Sequence, residues 1–226
     1  MTTGTRESGS AVGKGTAGLL LRLLVALGLL VALVACGDES GDAVDSSGSG
    51  NGSAGPMPDR ILAAPGTVTT AYLATVMDTG EPELCLGAVA ESWPPQCSGV
   101  PMAGWKWREH PEHERQGSTR WGSFAVTGTW DGTTFTAESA IPAALYDVPP
   151  DETPTRPTPS VTLTETELTR ISERLVDVPG FLTASPEETR VVLGVVYDDG
   201  SLQQWADETW GTDVVVVESA LVTADG

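Results

Sequence analysis

Between residues 60 and 143, apolar and polar positions alternate in short runs broken by Gly and Pro, a pattern that predicts strands rather than helices. The runs are Thr67 to Met77, Glu83 to Val89, Val100 to Trp107, Trp121 to Trp130 and Thr133 to Ala140. In the fourth, Phe124, Val126, Gly128 and Trp130 alternate with Ser123, Ala125, Thr127 and Thr129. That period of two puts the large side chains on one face of the strand. Asp131-Gly132, between the fourth and fifth runs, predicts a two-residue type I′ hairpin, which needs positive φ at both positions. Five short strands match the count of a small OB-like β-barrel, and other five-stranded β folds are open on the same pattern.

Beyond residue 160 the period changes. Leu168, Ile171 and Leu175 recur at three and four residues behind a Thr164/Glu167 capping box, predicting an amphipathic helix over Glu165–Val176 that Pro179-Gly180 stops. Arg190 to Tyr197 reads as a buried strand and Asp198-Asp199-Gly200 as a turn. A short helix capped by Ser201 with Gln204 ends before Gly211, and Val214 to Val222 reads as a closing strand. Strand, helix, strand over this length fits a βαβ crossover and hence a small α+β lobe, which packs on the barrel because so few residues are marginal alone. The fold class expected is α+β: an OB-like barrel over 60–145, a Pro/Thr-rich connector over 146–160 and an α+β lobe over 161–226.

The N-terminus carries an address. Arg6, Lys14 and Arg22 precede an apolar run from Leu23 to Ala35, the arrangement of a signal peptide over 1–35. That run is too short to span a hydrocarbon core, which takes roughly 20 helical residues. Leu33-Val34-Ala35-Cys36-Gly37 resembles the lipobox of bacterial lipoproteins. The resemblance implies cleavage before Cys36 and lipidation of its thiol, and hence anchoring to the extracytoplasmic face of the cell membrane. Residues 36–59, dominated by Gly, Ser, Asp and Ala, form a tether whose reach is on the order of 25 Å.

Charge narrows the partners. The chain has 31 acidic and 12 basic residues, a formal charge of −19; removing Glu7, Arg6, Lys14 and Arg22 with the leader leaves 30 and 9, or −21. Affinity for nucleic acid rests on clustered Lys and Arg, so no nucleic-acid partner is expected. With Cys36 lipidated, Cys85 and Cys97 are an even pair outside the cytoplasm and are expected to be disulfide-bonded around Ser92-Trp93-Pro94-Pro95.

Pro82-Glu83-Leu84-Cys85-Leu86-Gly87, Pro94-Pro95-Gln96-Cys97-Ser98-Gly99, Gly104-Trp105, Trp121-Gly122 and Gly128-Thr129-Trp130-Asp131-Gly132 resemble a group of secreted actinobacterial proteins with no assigned activity. Over about 60 residues of similarity, the resemblance implies an extracytoplasmic β domain with a disulfide and nothing catalytic.

Candidate chemistry is sparse. His110 and His113, among Glu109, Glu112 and Glu114, could contribute to a Zn²⁺ site, but Pro111 lies between them and no third His or free Cys completes a shell. A solvated loop is the better reading, so neither metal nor cofactor is expected. No G-x-S-x-G, Ser-x-x-Lys or HExxH motif occurs. Asp198-Asp199 and Glu187-Glu188 are acid/base candidates only as solvated turn neighbours. Seven tryptophans fill core first, with stacking on sugar or peptide as the alternative. Trp121 and Trp130 fall on opposite faces by parity, so at least one aromatic lies outside the barrel or at its mouth. The expected function is a non-catalytic envelope lipoprotein that binds a protein or glycan of the envelope. The alternative is a hydrolase using carboxylates or a metal at the His pair.

Overall fold

The computed structural model describes residues 55–147 and 156–224. The leader, Cys36, most of the tether and the middle of the Pro/Thr connector lie outside the described residues. Among the described residues, no helix is long and apolar enough to cross a membrane.

Seven strands come first: β1 (Thr67–Thr70), β2 (Ala74–Asp78), β3 (Pro82–Cys85), β4 (Val100–Ala103), β5 (Glu114–Gln116), β6 (Thr119–Trp130) and β7 (Phe135–Pro142). Five of them close a barrel. β2, β3, β4, β7 and β6 pair in that order, and β6 pairs back to β2; β4 and β7 run parallel and every other pair is antiparallel. Closure removes the free edges that an open sheet would present. This is the small five-stranded OB-like barrel expected from the strand count.

The first run is interrupted. β1 and β2 lie one after the other along β6, β1 opposite Thr127–Thr129 and β2 opposite Arg120–Phe124. At the break, Val126 would lack a ladder acceptor, and the buried Thr70 hydroxyl accepts its amide at 3.1 Å. Inside the barrel sit Val76, Leu84, Phe124, Val126, Trp130 and Phe135, all 2 % exposed or less. The parity of β6 holds: Phe124, Val126 and Trp130 point in, whereas Trp121 is on the outer face.

Two expectations for the barrel are corrected, and a strand appears that the pattern does not predict. The 131–132 turn is a four-residue connection, with Trp130 opposite Phe135 and positive φ at Gly132 alone. Asp131 explains it: its carboxylate accepts the Thr133 and Thr134 amides at 2.8 and 2.7 Å, which holds Asp131 out of the left-handed region. The third strand ends at Ala103, because Gly104 turns at φ 77° and Trp107–Glu109 form a 3₁₀ turn. β5, polar and fully exposed, carries no apolar alternation to announce it.

The second unit of structure is α1 (Glu165–Arg174), β8 (Phe181–Glu187), β9 (Arg190–Val195), α2 (Ser201–Trp210) and β10 (Val215–Ser219). Thr164 and Glu167 make the capping box in both directions. The second expected capping box is absent: Ser201 is already inside α2, and the Asp198 carboxylate accepts the amides of Leu202 and Gln203 instead, at 3.0 and 3.2 Å. β9 and β10 are parallel, joined through α2 as a crossover, and β8 pairs antiparallel with β9. Leu168, Ile171 and Leu175 pack with Val191, Leu193 and Val195 on the helix-facing side of this sheet.

The closing strand is divided. β10 ends at Ser219, and β11 (Leu221–Thr223) leaves the small sheet to pair antiparallel with β1. Its Leu221 joins Val196, Tyr197 and Ala220 in the barrel's own core. The end of the lobe thus adds to the barrel core, while its helices and small sheet enclose an apolar cluster of their own.

Candidate functional site

Cys85, at the end of β3, and Cys97, in the following loop, form a disulfide with Cα atoms 6.0 Å apart. Both belong to the outer face of the barrel, packed with Met77 and Trp121. The Ala90–Gln96 bridge and the Ser92 hydroxyl, which donates to Pro94 O at 2.8 Å, order the enclosed loop. That loop sets Trp93 edge-on to Trp121 with centroids 5.0 Å apart, leaving Trp93 66 % exposed. Closing so short a ring stabilises by roughly 2–3 kcal/mol through the unfolded state, and it engages both thiols in structure.

The histidines are half-buried in an aromatic corner rather than in the solvated loop expected of them. His110 stacks on Trp105 at 4.0 Å and 11°, and His113 Nδ1 lies 2.7 Å from His110 O. Trp107 Nε1 donates to Asp78 Oδ2 at 2.7 Å. Burial pushes the His110 imidazole below its ordinary pKa, against the opposing pull of Glu109 and Glu112. Trp105 Nε1 is buried and meets no acceptor among the described residues. Among those residues, no group of three His, Cys, Asp or Glu side chains is placed to hold a metal.

The acidic pairs are engaged in turns. Asp198 caps α2, and Asp199 accepts the Ser201 amide at 3.1 Å; the Ser201 hydroxyl and amide hold its carboxyl below the usual range. Glu187 lies 3.9 Å from Arg156, and Glu188 turns the β8–β9 hairpin at φ 37°. Trp105, Trp107, Trp121 and Trp130 are buried, so tryptophan serves mainly the core. The other prominently exposed aromatic is Tyr72, 49 % accessible, which nothing in the strand pattern singled out.

Tyr72 lies in the break between β1 and β2, where Ala71 N donates to Ala220 O at 2.9 Å. Its hydroxyl donates to Leu86 O at 2.8 Å. Tyr72 thereby borders a cleft of ≈ 500 Å³ between barrel and small sheet, lined also by Ala71, Thr183, Gly194, Glu218 and Ser219. Three of these form one row across the sheet: Thr183 on β8 pairs with Gly194 on β9, which pairs with Glu218 on β10. Residue parity puts this row on the face away from the helices, since Leu193 and Val195 take the helix side. At the centre, a Cβ on Gly194 would come within 2.7 Å of Thr183 Oγ1. Glycine thus leaves a trough with a hydroxyl on one side and a carboxylate on the other. Glu218 is paired with Arg156. A second cleft, of ≈ 240 Å³, lies beside Trp105, Lys106, Glu109 and His110.

No family model matches the chain, and no match to it is found among curated proteins or solved structures.

Proposed function

We propose that this chain is an extracytoplasmic lipoprotein, held at the outer face of the cell membrane by a lipid on Cys36, whose OB-like body is a binding module and not a catalyst. The observation that carries the reading is the placement of Leu33-Val34-Ala35-Cys36 at the end of a basic-then-apolar leader and directly before a Gly/Ser-rich tether. The Cys85–Cys97 disulfide supports it, because such bonds persist where the compartment is oxidising. The binding role draws on the clefts of the body and on the fact that the His pair and the acidic turns are committed to stacking, capping and turn formation. The hydrolase alternative gains no support from those groups.

Expression in a bacterium fed labelled palmitate tests the anchor. Wild type is expected in the membrane fraction with label, and Cys36→Ser unlabelled and either uncut or released. Equal membrane recovery of the Ser variant at wild-type mass would contradict the proposal.

A further inference from the structure

We infer that the trough of Thr183, Gly194 and Glu218 beside Tyr72 is a binding subsite for a neutral saccharide. The inference names a ligand class for the binding module proposed above. The anchor has its own fractionation test, so either reading can fail alone.

The chemistry of the walls selects the ligand. A half-exposed aromatic ring offers a π face, and pyranose rings carry a face of C–H groups able to pack against it. The ring is held in place by the 2.8 Å bond from its hydroxyl to Leu86 O, so little side-chain freedom is lost on binding. Across the trough, Glu218 presents acceptor oxygens suited to sugar hydroxyls, and Thr183 makes no side-chain hydrogen bond among the described residues. Ser219 Oγ accepts the Asp198 amide at 2.8 Å and keeps its proton free to donate. A purely apolar ligand would strip water from these polar groups without replacing it. An anionic polymer would meet Glu218 and a chain of formal charge −19. A cation would compete with Arg156, which already pairs with Glu218. A neutral polyhydroxyl ligand satisfies each group, and ≈ 500 Å³ lies within the usual range for small-ligand sites.

The glycine is the second element of the site. Gly194 lies at the middle of a three-strand sheet, where glycine is ordinarily unfavourable. Its lack of a side chain opens the floor between the Thr183 hydroxyl and the Glu218 carboxylate.

The test uses the full lipidated protein in a zwitterionic detergent free of sugar headgroups, titrated calorimetrically with chitotetraose, cellotetraose and maltotetraose. Binding of at least one at submillimolar Kd is expected, with affinity little changed by added salt because the ligand carries no charge for salt to screen. Tyr72→Ala and Gly194→Ala should each weaken it about tenfold or more. Glu218→Gln, on the exposed rim, should weaken it several-fold while leaving the melting temperature unchanged, which covers the case in which Gly194→Ala fails to fold. Absence of heat with all three sugars, or affinity retained in both Tyr72→Ala and Glu218→Gln, would overturn the inference.

Discussion

Thr70 is the one polar side chain buried among the described core residues, 2 % exposed, and its hydroxyl accepts the Val126 amide where the β1–β2 break leaves that amide without a strand partner. Thr70→Val keeps the shape and removes the acceptor, so it should cost roughly 1–3 kcal/mol in urea unfolding, the penalty for an unsatisfied buried donor. Recovery of wild-type stability would mean that Val126 finds another partner. Asp131 is fully exposed, yet the Thr134 amide, the Thr133 amide and the Thr133 hydroxyl hold its carboxyl below the ordinary 3.8. A carboxyl depressed in the folded state stabilises that state above its unfolded pKa, and the contribution is lost as pH falls through the folded value. Carbon-detected NMR titration should therefore place the Asp131 midpoint below 3.8. A midpoint at or above that value would show that the turn is open in solution.

The longest element, β6, was the most legible because its core residues repeat at two over the whole run. The register shift between Thr127 and Gly128 was not legible. At that shift a Cβ on Gly128 would stand 2.1 Å from Thr136 O. Gly128→Ala is expected to destabilise at the upper end of roughly 1–3 kcal/mol, since a backbone carbonyl cannot rotate away as a side chain can; a loss under about 0.5 kcal/mol by thermal melting would contradict the bulge geometry. The helix α1 was readable for a local reason, its capping box lying within four residues. The start of α2 departs from its Ser201–Gln204 signal because Asp198, three residues before Ser201, supplies two acceptors. β5 and β8 carry no legible strand pattern, because exposed polar positions and Pro186 hide their pairing. The cleft is not legible for a different reason: Thr183, Gly194 and Glu218 are adjacent only through strand register, and Tyr72 joins them from the gap between β1 and β2, more than a hundred residues earlier.

At the scale of the molecule, barrel and lobe are tied by β11, which pairs with β1 and sends Leu221 into the barrel core. The barrel topology invites an expectation of oligonucleotide binding, but fold does not carry function. A formal charge of −19 offers no basic track for phosphate. No gel shift with single-stranded DNA is expected at moderate salt, and micromolar, salt-sensitive binding would contradict the charge argument. Export of the body and its anchoring through Cys36 can be read from intact-mass and N-terminal peptide analysis of the protein recovered from membranes. A chain beginning at Cys36 is expected, its sulfur in thioether linkage to diacylglycerol, with Cys85 and Cys97 together two hydrogens lighter than the thiols. A chain that retains residues 1–35 with an unmodified Cys36 would contradict it.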